Sequence, residues 1–328
     1  KKELYIQAKL ADAIQGGQIE VWFQPQVRTE RDAEGRHRLV GIEALARWHD
    51  NDLGWISPAT FIPMAESLGL IADLGQRVTT LALAQFQRWH ARRPELHLSL
   101  NISKRQLFAP EFVSGLIHEV SRHDLPTSAI VLEITESVAL LEVEFAEERL
   151  RQLVDAGFIL SIDDFGTGYA SLSQLHELPV QELKIDISFV QRVHTPDGLR
   201  ILQAIVQLGR ALGLRTVAEG VEDAQTATTL RELEVDTLQG YHFGRPVPAR
   251  VLEELPAFAV EGLVGRNFDV FHKNPAHQRN ILGRLTGEHR VRLQEKVRGR
   301  RRQRRRQRNA GPSGHVPHRA NDGGAARD

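Results

Sequence analysis

Apolar positions along this chain follow two rhythms in turn. In one they recur at helical spacing, as with Leu4, Ala8 and Ala11; in the other they form short β-branched runs that predict strand. The first helix covers residues 4–16 and stops at Gly16-Gly17. Strands are predicted at Glu20–Val27 and Leu39–Trp48, with the polar, turn-rich stretch Arg28–Arg38 between them. About ten residues without helical spacing are too few for a parallel crossover, so these two strands should be antiparallel. From there the rhythms alternate. Helix over Pro58–Arg93, broken at Gly69 and Gly75, precedes strand His97–Ser103, and helix Pro110–His123 precedes strand Ile130–Glu136. Helix Val138–Asp155 precedes strand Phe158–Asp164, and a helical turn at Ser171–Glu177 precedes strand Glu182–Ile187. Helix Gly198–Leu212 leads to strand Arg215–Ala218, and helix Asp223–Leu233 leads to strand Thr237–Phe243. Eight strands, mostly parallel and helix-separated within about 250 residues, predict an α/β protein built as a TIM-type (β/α)8 barrel with one irregular strand. An open doubly wound sheet is the alternative, weakened because no G-x-G-x-x-G follows a strand.

Composition narrows the chemistry. The 328 residues are 41% hydrophobic and 26% charged, enough for a full core. There is no cysteine, which excludes disulfides, a thiolate nucleophile and cysteine-held zinc. No apolar run reaches the ~18 residues of a membrane span, and no signal-peptide pattern occurs, so a cytoplasmic protein or cytoplasmic portion is expected. The start at Lys1-Lys2, without Met, is what a piece of a longer protein would show. The formal net charge of zero hides an asymmetry. Residues 260–328 hold 17 Lys+Arg against 6 Asp+Glu, and residues 1–259 hold 25 against 36. The expected organisation is a lead-in helix over 1–17, a barrel over 18–259 and a basic, disordered tail over 260–328.

Barrel enzymes carry their chemistry at the C-terminal ends of the strands. Those ends read Gln24, Glu43 with Arg47, Asn101, Glu133 with Glu136, Asp163 with Asp164, Lys184 with Asp186, Glu219 with Glu222, and Gln239. A lone Asp-Asp-x-Gly is more often a solvated turn. Here five of the eight strand ends supply a carboxylate, and apolar residues directly precede most of them. So many carboxylates cannot converge at the rim of a core without cations. Carboxylates plus the Asn101 amide point to a hard divalent ion, Mg²⁺ or Mn²⁺, and their number suits two ions ~3.5–4 Å apart for displacement at phosphorus. Lys184 and Arg47 add positive charge for phosphate oxygens or a nucleophilic water. The residues alone reach a metal-assisted phosphoester hydrolase.

Seven segments then carry a resemblance: G-I-E-A-L-A-R-W at 41–48, N-I-S at 101–103, L-E-I-T-E at 132–136, D-D-F-G-T-G-Y at 163–169, L-K-I-D at 183–186, V-A-E-G-V-E at 217–222 and Q-G-Y-H-F-G-R-P at 239–246. In order and spacing, over about residues 5–255, the chain resembles the EAL-domain family of cyclic di-GMP phosphodiesterases, barrels with an antiparallel first strand. The resemblance implies hydrolysis of cyclic di-GMP to linear pGpG, by in-line attack of an activated water. It implies Glu43, Asn101, Glu133 and Asp163 as ligands of one metal, with Asp163, Asp164 and Glu219 around a second. Lys184 would hold the attacking water, supported by Asp186, and Glu219 would serve as ligand or base. Arg47 resembles a phosphate contact, Gln24 and Gln239 substrate-binding amides, Leu45 and Pro246 apolar substrate contacts. Glu136 and Glu222 resemble anchors of the loop Phe165–Ser171, which in the family contributes to homodimers. Ca²⁺ is expected to inhibit, because its longer coordination suits a close two-metal clamp poorly. An upstream sensory or GGDEF-type domain is the expected partner in a longer protein. Ala46 and Ala170 stand where the family often has larger or hydroxylated residues. No expected ligand is missing, which favours an enzyme over a catalytically silent cyclic di-GMP receptor or scaffold.

His49, His97 and His242 lack ligand spacing, so surface or packing roles are expected. Trp22, Trp48, Trp55 and Trp89 read as core or rim packing. The run Arg298–Arg308 is a dense polycation followed by Gly, Pro, Ser and Ala without apolar periodicity. Its functional reading is a non-specific contact with nucleic acid or an anionic membrane; the competing reading is a solvated extension with no role.

Overall fold

The computed structural model describes residues 2–139, 143–166 and 172–253. Among these, ten strands form a single sheet: β1 Ile19–Arg31, β2 His37–Asp50, β3 Gly54–Ile56, β4 His97–Asn101, β5 Ile130–Thr135, β6 Ile159–Phe165, β7 Glu182–Ile185, β8 Arg215–Ala218, β9 Thr237–Gln239 and β10 Val247–Pro248. Eight of them close into a barrel in the order β1-β2-β4-β5-β6-β7-β8-β9, and β9 pairs back to β1. β1 is antiparallel to both its neighbours, whereas β2 and β4 through β9 run parallel. The inversion follows from the short connection between β1 and β2. Both strands run further than the residue pattern suggests, leaving only 32–36 as the turn. There Asp32 accepts from the Glu34 and Arg36 amides at 3.0 and 2.8 Å.

Two short strands were not anticipated. β2 continues past Trp48 and folds back as β3, because Asp50 accepts from the Asp52 and Leu53 amides and closes a tight turn. β10 adds to the edge of β1, opposite Trp22 and Phe23. The helical region expected over Pro58–Arg93 breaks at Gly69, which ends helix Pro58–Leu68 in the left-handed conformation, φ 78°. It does not break at Gly75. That residue lies inside the continuous helix Ile71–His90, and a Cβ there would come within 2.2 Å of the Gln106 amide. The glycine permits a close approach and costs the helix about 1 kcal/mol of propensity.

Alternation along each strand sends one set of side chains to the lumen and the other to the helices. Phe23 meets Trp89 of helix Ile71–His90 with ring centroids 4.8 Å apart, and Trp48 meets Phe61 at 5.8 Å. The opening helix, Lys2–Gln15, is docked on this outer layer. Its Ile6, Leu10, Ala13 and Ile14 are buried in one cluster with Ile19, Trp48, Phe61 and Leu74. A fully buried Leu or Ile side chain contributes about 1.5–3 kcal/mol. Among the described residues no helix is long and apolar enough to cross a membrane. The loop residues 167–171, with Ala170, and everything past Glu253, including the basic run, lie outside the described residues.

Candidate active site

The lumen-facing residue near the C-terminal end of each parallel strand is polar. Lys184 of β7 lies at the centre, 1% exposed. Its Nζ donates to Glu133 Oε2 of β5 at 2.7 Å and lies 2.7 Å from Glu219 Oε1, 3.1 Å from Asp163 Oδ1 and 3.9 Å from Glu43 Oε2. Four carboxylates from four strands thus surround one ammonium. Burial works against the Lys184 charge, but these neighbours outweigh it and hold the group well above its ordinary pKa. The surplus negative charge shows on the acids. Burial and the nearby Glu43 charge push Glu133 well up, and burial despite Lys184 pushes Glu219 to about 7. Asp164 is raised by burial and by Asp163. Only Glu43 is lowered: burial opposes its charge, but Lys184 and the Gln239 and Asn101 hydrogen bonds prevail.

Asp163 and Asp164 are adjacent, so a regular strand would point them to opposite faces. A bulge prevents this. Between Ile162 and Phe165 the register of β6 slips against Leu183–Ile185 of β7, and Asp164 takes a left-handed φ of 54°. Aspartate tolerates that conformation better than most residues. As a result, Asp163, Asp164 and Glu219 present oxygens all within 4.8 Å of one another. Past the bulge, Gly166 N donates to Glu136 Oε2 at 2.9 Å.

Glu43 is held from two sides. Asn101 Nδ2 donates to its Oε1 at 2.9 Å, leaving the Asn101 carbonyl oxygen for a ligand, and Gln239 Nε2 donates to its Oε2. Gln239 is itself fixed by Gln26 Nε2 at 2.9 Å and also reaches Gln24 Oε1 at 3.2 Å. Gln239 is therefore placed to orient Glu43 as well as to line the cleft. Gln26 escaped the sequence reading, although it lies two positions from Gln24 on the same strand face.

The residues fit hard divalent cations. All the donors are oxygen, the charge around Lys184 is under-compensated, and Glu133 Oε1 is buried with no hydrogen-bond partner among the described residues. Above the cluster opens a cleft of about 360 Å³ lined by Gln24, Glu43, Leu45, Glu219, Glu222 and Gln239, and also by Ile187 and Tyr241, which residue patterns did not single out. Arg47 lies at the rim, its guanidinium donating to Ala46 O at 2.8 Å. Pro246 is half-buried beside β10. Asp186 caps helix Ile187–Val190 through the Ser188 amide at 3.0 Å. His49, His97 and His242 take no part in the acidic cluster.

Comparison with known proteins places the chain in a family. The model of the EAL domain family matches residues 7–246. The oxygen sensor protein DosP of Escherichia coli (strain K12) is 40% identical over 265 residues, 79% of this chain and 32% of that protein. From the same organism, the probable cyclic di-GMP phosphodiesterase PdeG is 40% identical over 243 residues, 73% of this chain and 46% of that protein. The chain thus spans just under a third of one of these relatives and just under half of the other. A solved structure of the PaMucR phosphodiesterase in its c-di-GMP complex is 37% identical, covers 77% of this chain and 100% of that one, and superposes with a TM-score of 0.71. With the motifs matched in order and the barrel closed as described, the chain belongs to the EAL domain family.

Proposed function

We propose that this chain is a cyclic di-GMP phosphodiesterase that opens its substrate to linear pGpG with two Mg²⁺ or Mn²⁺ ions. The observation that carries the reading is the ring of Glu43, Glu133, Asp163 and Glu219 around the single ammonium of Lys184. Relatives named as phosphodiesterases of this substrate support it. Glu43, Asn101, Glu133 and Asp163 would hold one ion, and Asp163, Asp164 and Glu219 the other. When bound, such ions neutralise phosphoryl oxygens and lower the pKa of water. Lys184 would orient the attacking water, and Glu219 would ligate an ion or accept the water's proton. Arg47 contacts a phosphate, Gln24 and Leu45 the rest of the nucleotide. The enzyme acts in the cytoplasm as a homodimer, downstream of a sensory or GGDEF-type domain.

Incubating the purified chain with cyclic di-GMP and Mn²⁺ or Mg²⁺ and separating the products by chromatography tests the reading. Linear pGpG is expected, with Ca²⁺ inhibiting. Tight binding without cleavage under either metal would make the chain a receptor instead. Truncation after Phe258 should leave kcat unchanged and remove any weak binding to DNA or anionic vesicles.

A further inference from the structure

Residues two apart on a strand share a face, as do residues paired across neighbouring strands. Register therefore places Glu43, Leu45 and Arg47 of β2 on one face with Gln24, Trp22 and Glu20 of β1. Gln24, Glu43 and Leu45 line the cleft, and Trp22, directly opposite Leu45, stands on the same sheet face just beyond them. β3 extends that face, because Trp55 pairs with His49, two positions beyond Arg47. The two indoles meet edge to face, centroids 5.1 Å apart and planes at 69°. The Arg47 guanidinium lies 5.6 Å from the Trp22 centroid. Trp48 and Trp89 are fully buried in the outer layer, but Trp55 is 48% exposed. A single exposed indole is ordinary. An indole pair flanked by a cation and continuous with a polar cleft has the composition of a nucleotide-stacking site.

We propose that Trp55, backed by Trp22, is the platform on which one purine base of the cyclic dinucleotide stacks, with Arg47 holding a phosphate between platform and metal cluster. This rests on the function proposed above. The spacing agrees: at ~3.3 Å per residue Leu45 lies about 7 Å and Arg47 about 13 Å along β2 from Glu43, the scale of a nucleotide reaching outward from the reacting phosphate. Of Gly54–Ile56, Trp55 is the one residue on the sheet face shared with Glu43, Leu45 and Arg47.

The test measures cyclic di-GMP hydrolysis with Mn²⁺, calorimetric binding and intrinsic tryptophan fluorescence for the full chain, Trp55→Ala, Trp55→Phe and Trp22→Phe. Base–aromatic stacking predicts that Trp55→Ala raises KM and Kd about 5- to 100-fold, the loss falling on KM rather than kcat. Trp55→Phe should keep most of the affinity and lose the substrate-induced fluorescence quench. A KM within twofold of wild type in Trp55→Ala, or a quench that survives in Trp55→Phe, overturns the platform. So does a changed oligomeric state with KM intact, which would make the pair a contact between copies. If the wild-type chain neither binds nor cleaves cyclic di-GMP, the proposed function itself falls and the platform with it. Binding and cleavage by wild type with indifferent Trp55 variants removes the platform alone.

Discussion

The barrel has a cavity at each end, and the two differ little in size. The one above the C-terminal strand ends measures about 360 Å³, and the one at the opposite mouth about 300 Å³. Their electrostatics differ in kind. The lower cavity is lined by Arg28, Arg38 and Arg215 alongside Glu95, Glu182 and His97, so three guanidiniums face two carboxylates. Arg215 lies 3.5 Å from Glu182 and opposes, without overcoming, the burial that raises that carboxyl, and His97 is driven toward neutrality by burial. At the upper end one ammonium faces four carboxylates, and the imbalance appears as raised Glu133, Glu219 and Asp164. Cavity volume does not separate the two ends; the excess of carboxylates over cations at the upper one does.

The largest expected effect breaks the upper cluster. Asp163→Ala removes the carboxylate shared by both proposed ions and should cost more than about 10³-fold in turnover, since metal ions contribute several kcal/mol to such reactions. Calorimetry should show metal affinity lost with it, whereas Lys184→Ala should slow turnover while still binding metal, because an ammonium cannot be a ligand. Unchanged metal affinity in Asp163→Ala would remove the central assignment.

The next effect concerns support. Gln239→Ala frees Glu43 on one side and should weaken metal binding about 10- to 100-fold, the usual cost of losing an outer-shell partner. A pure rise in KM would instead make Gln239 a substrate contact.

The charge imbalance also predicts a pH dependence. Glu219 titrates near 7, above the ordinary carboxyl value of 4.5, so the metal-free folded state binds more protons than the unfolded chain between those values. This group's contribution to metal-free stability therefore falls as pH rises through that window. Divalent ions compete with the same proton, so the rise in Tm on adding Mn²⁺ should be larger at pH 8 than at pH 6. Equal shifts at the two pH values, measured by scanning calorimetry, would show that Glu219 takes no part in binding.

The smallest effect belongs to the lower mouth. Arg215→Ala removes the cation beside the buried Glu182 carboxyl, at the mouth opposite the acidic cluster, and steady-state rates should stay at the wild-type value. A large fall in kcat would mean that the two ends are coupled.

Residue pattern alone determined the alternation of strand and helix, the antiparallel first pair and a polar group at each strand end. These are local consequences of side-chain period and connection length. The acidic set and Lys184 were legible as well, because their types at successive strand ends admit few chemistries other than metal-assisted phosphoester hydrolysis. Tertiary structure decided what depends on register. Asp163 and Asp164, adjacent in sequence, share one site only because a bulge against β7 turns Asp164 into a left-handed conformation. Gly75 could be read as a helix break until the Gln106 side chain was seen to fill the space of its missing Cβ. Gln26, Trp22 and Trp55 carry no motif. That they share one sheet face with Gln24 and Glu43 comes from pairing across β1, β2 and β3, and a one-residue slip in that pairing would turn each of them to the opposite face of the sheet.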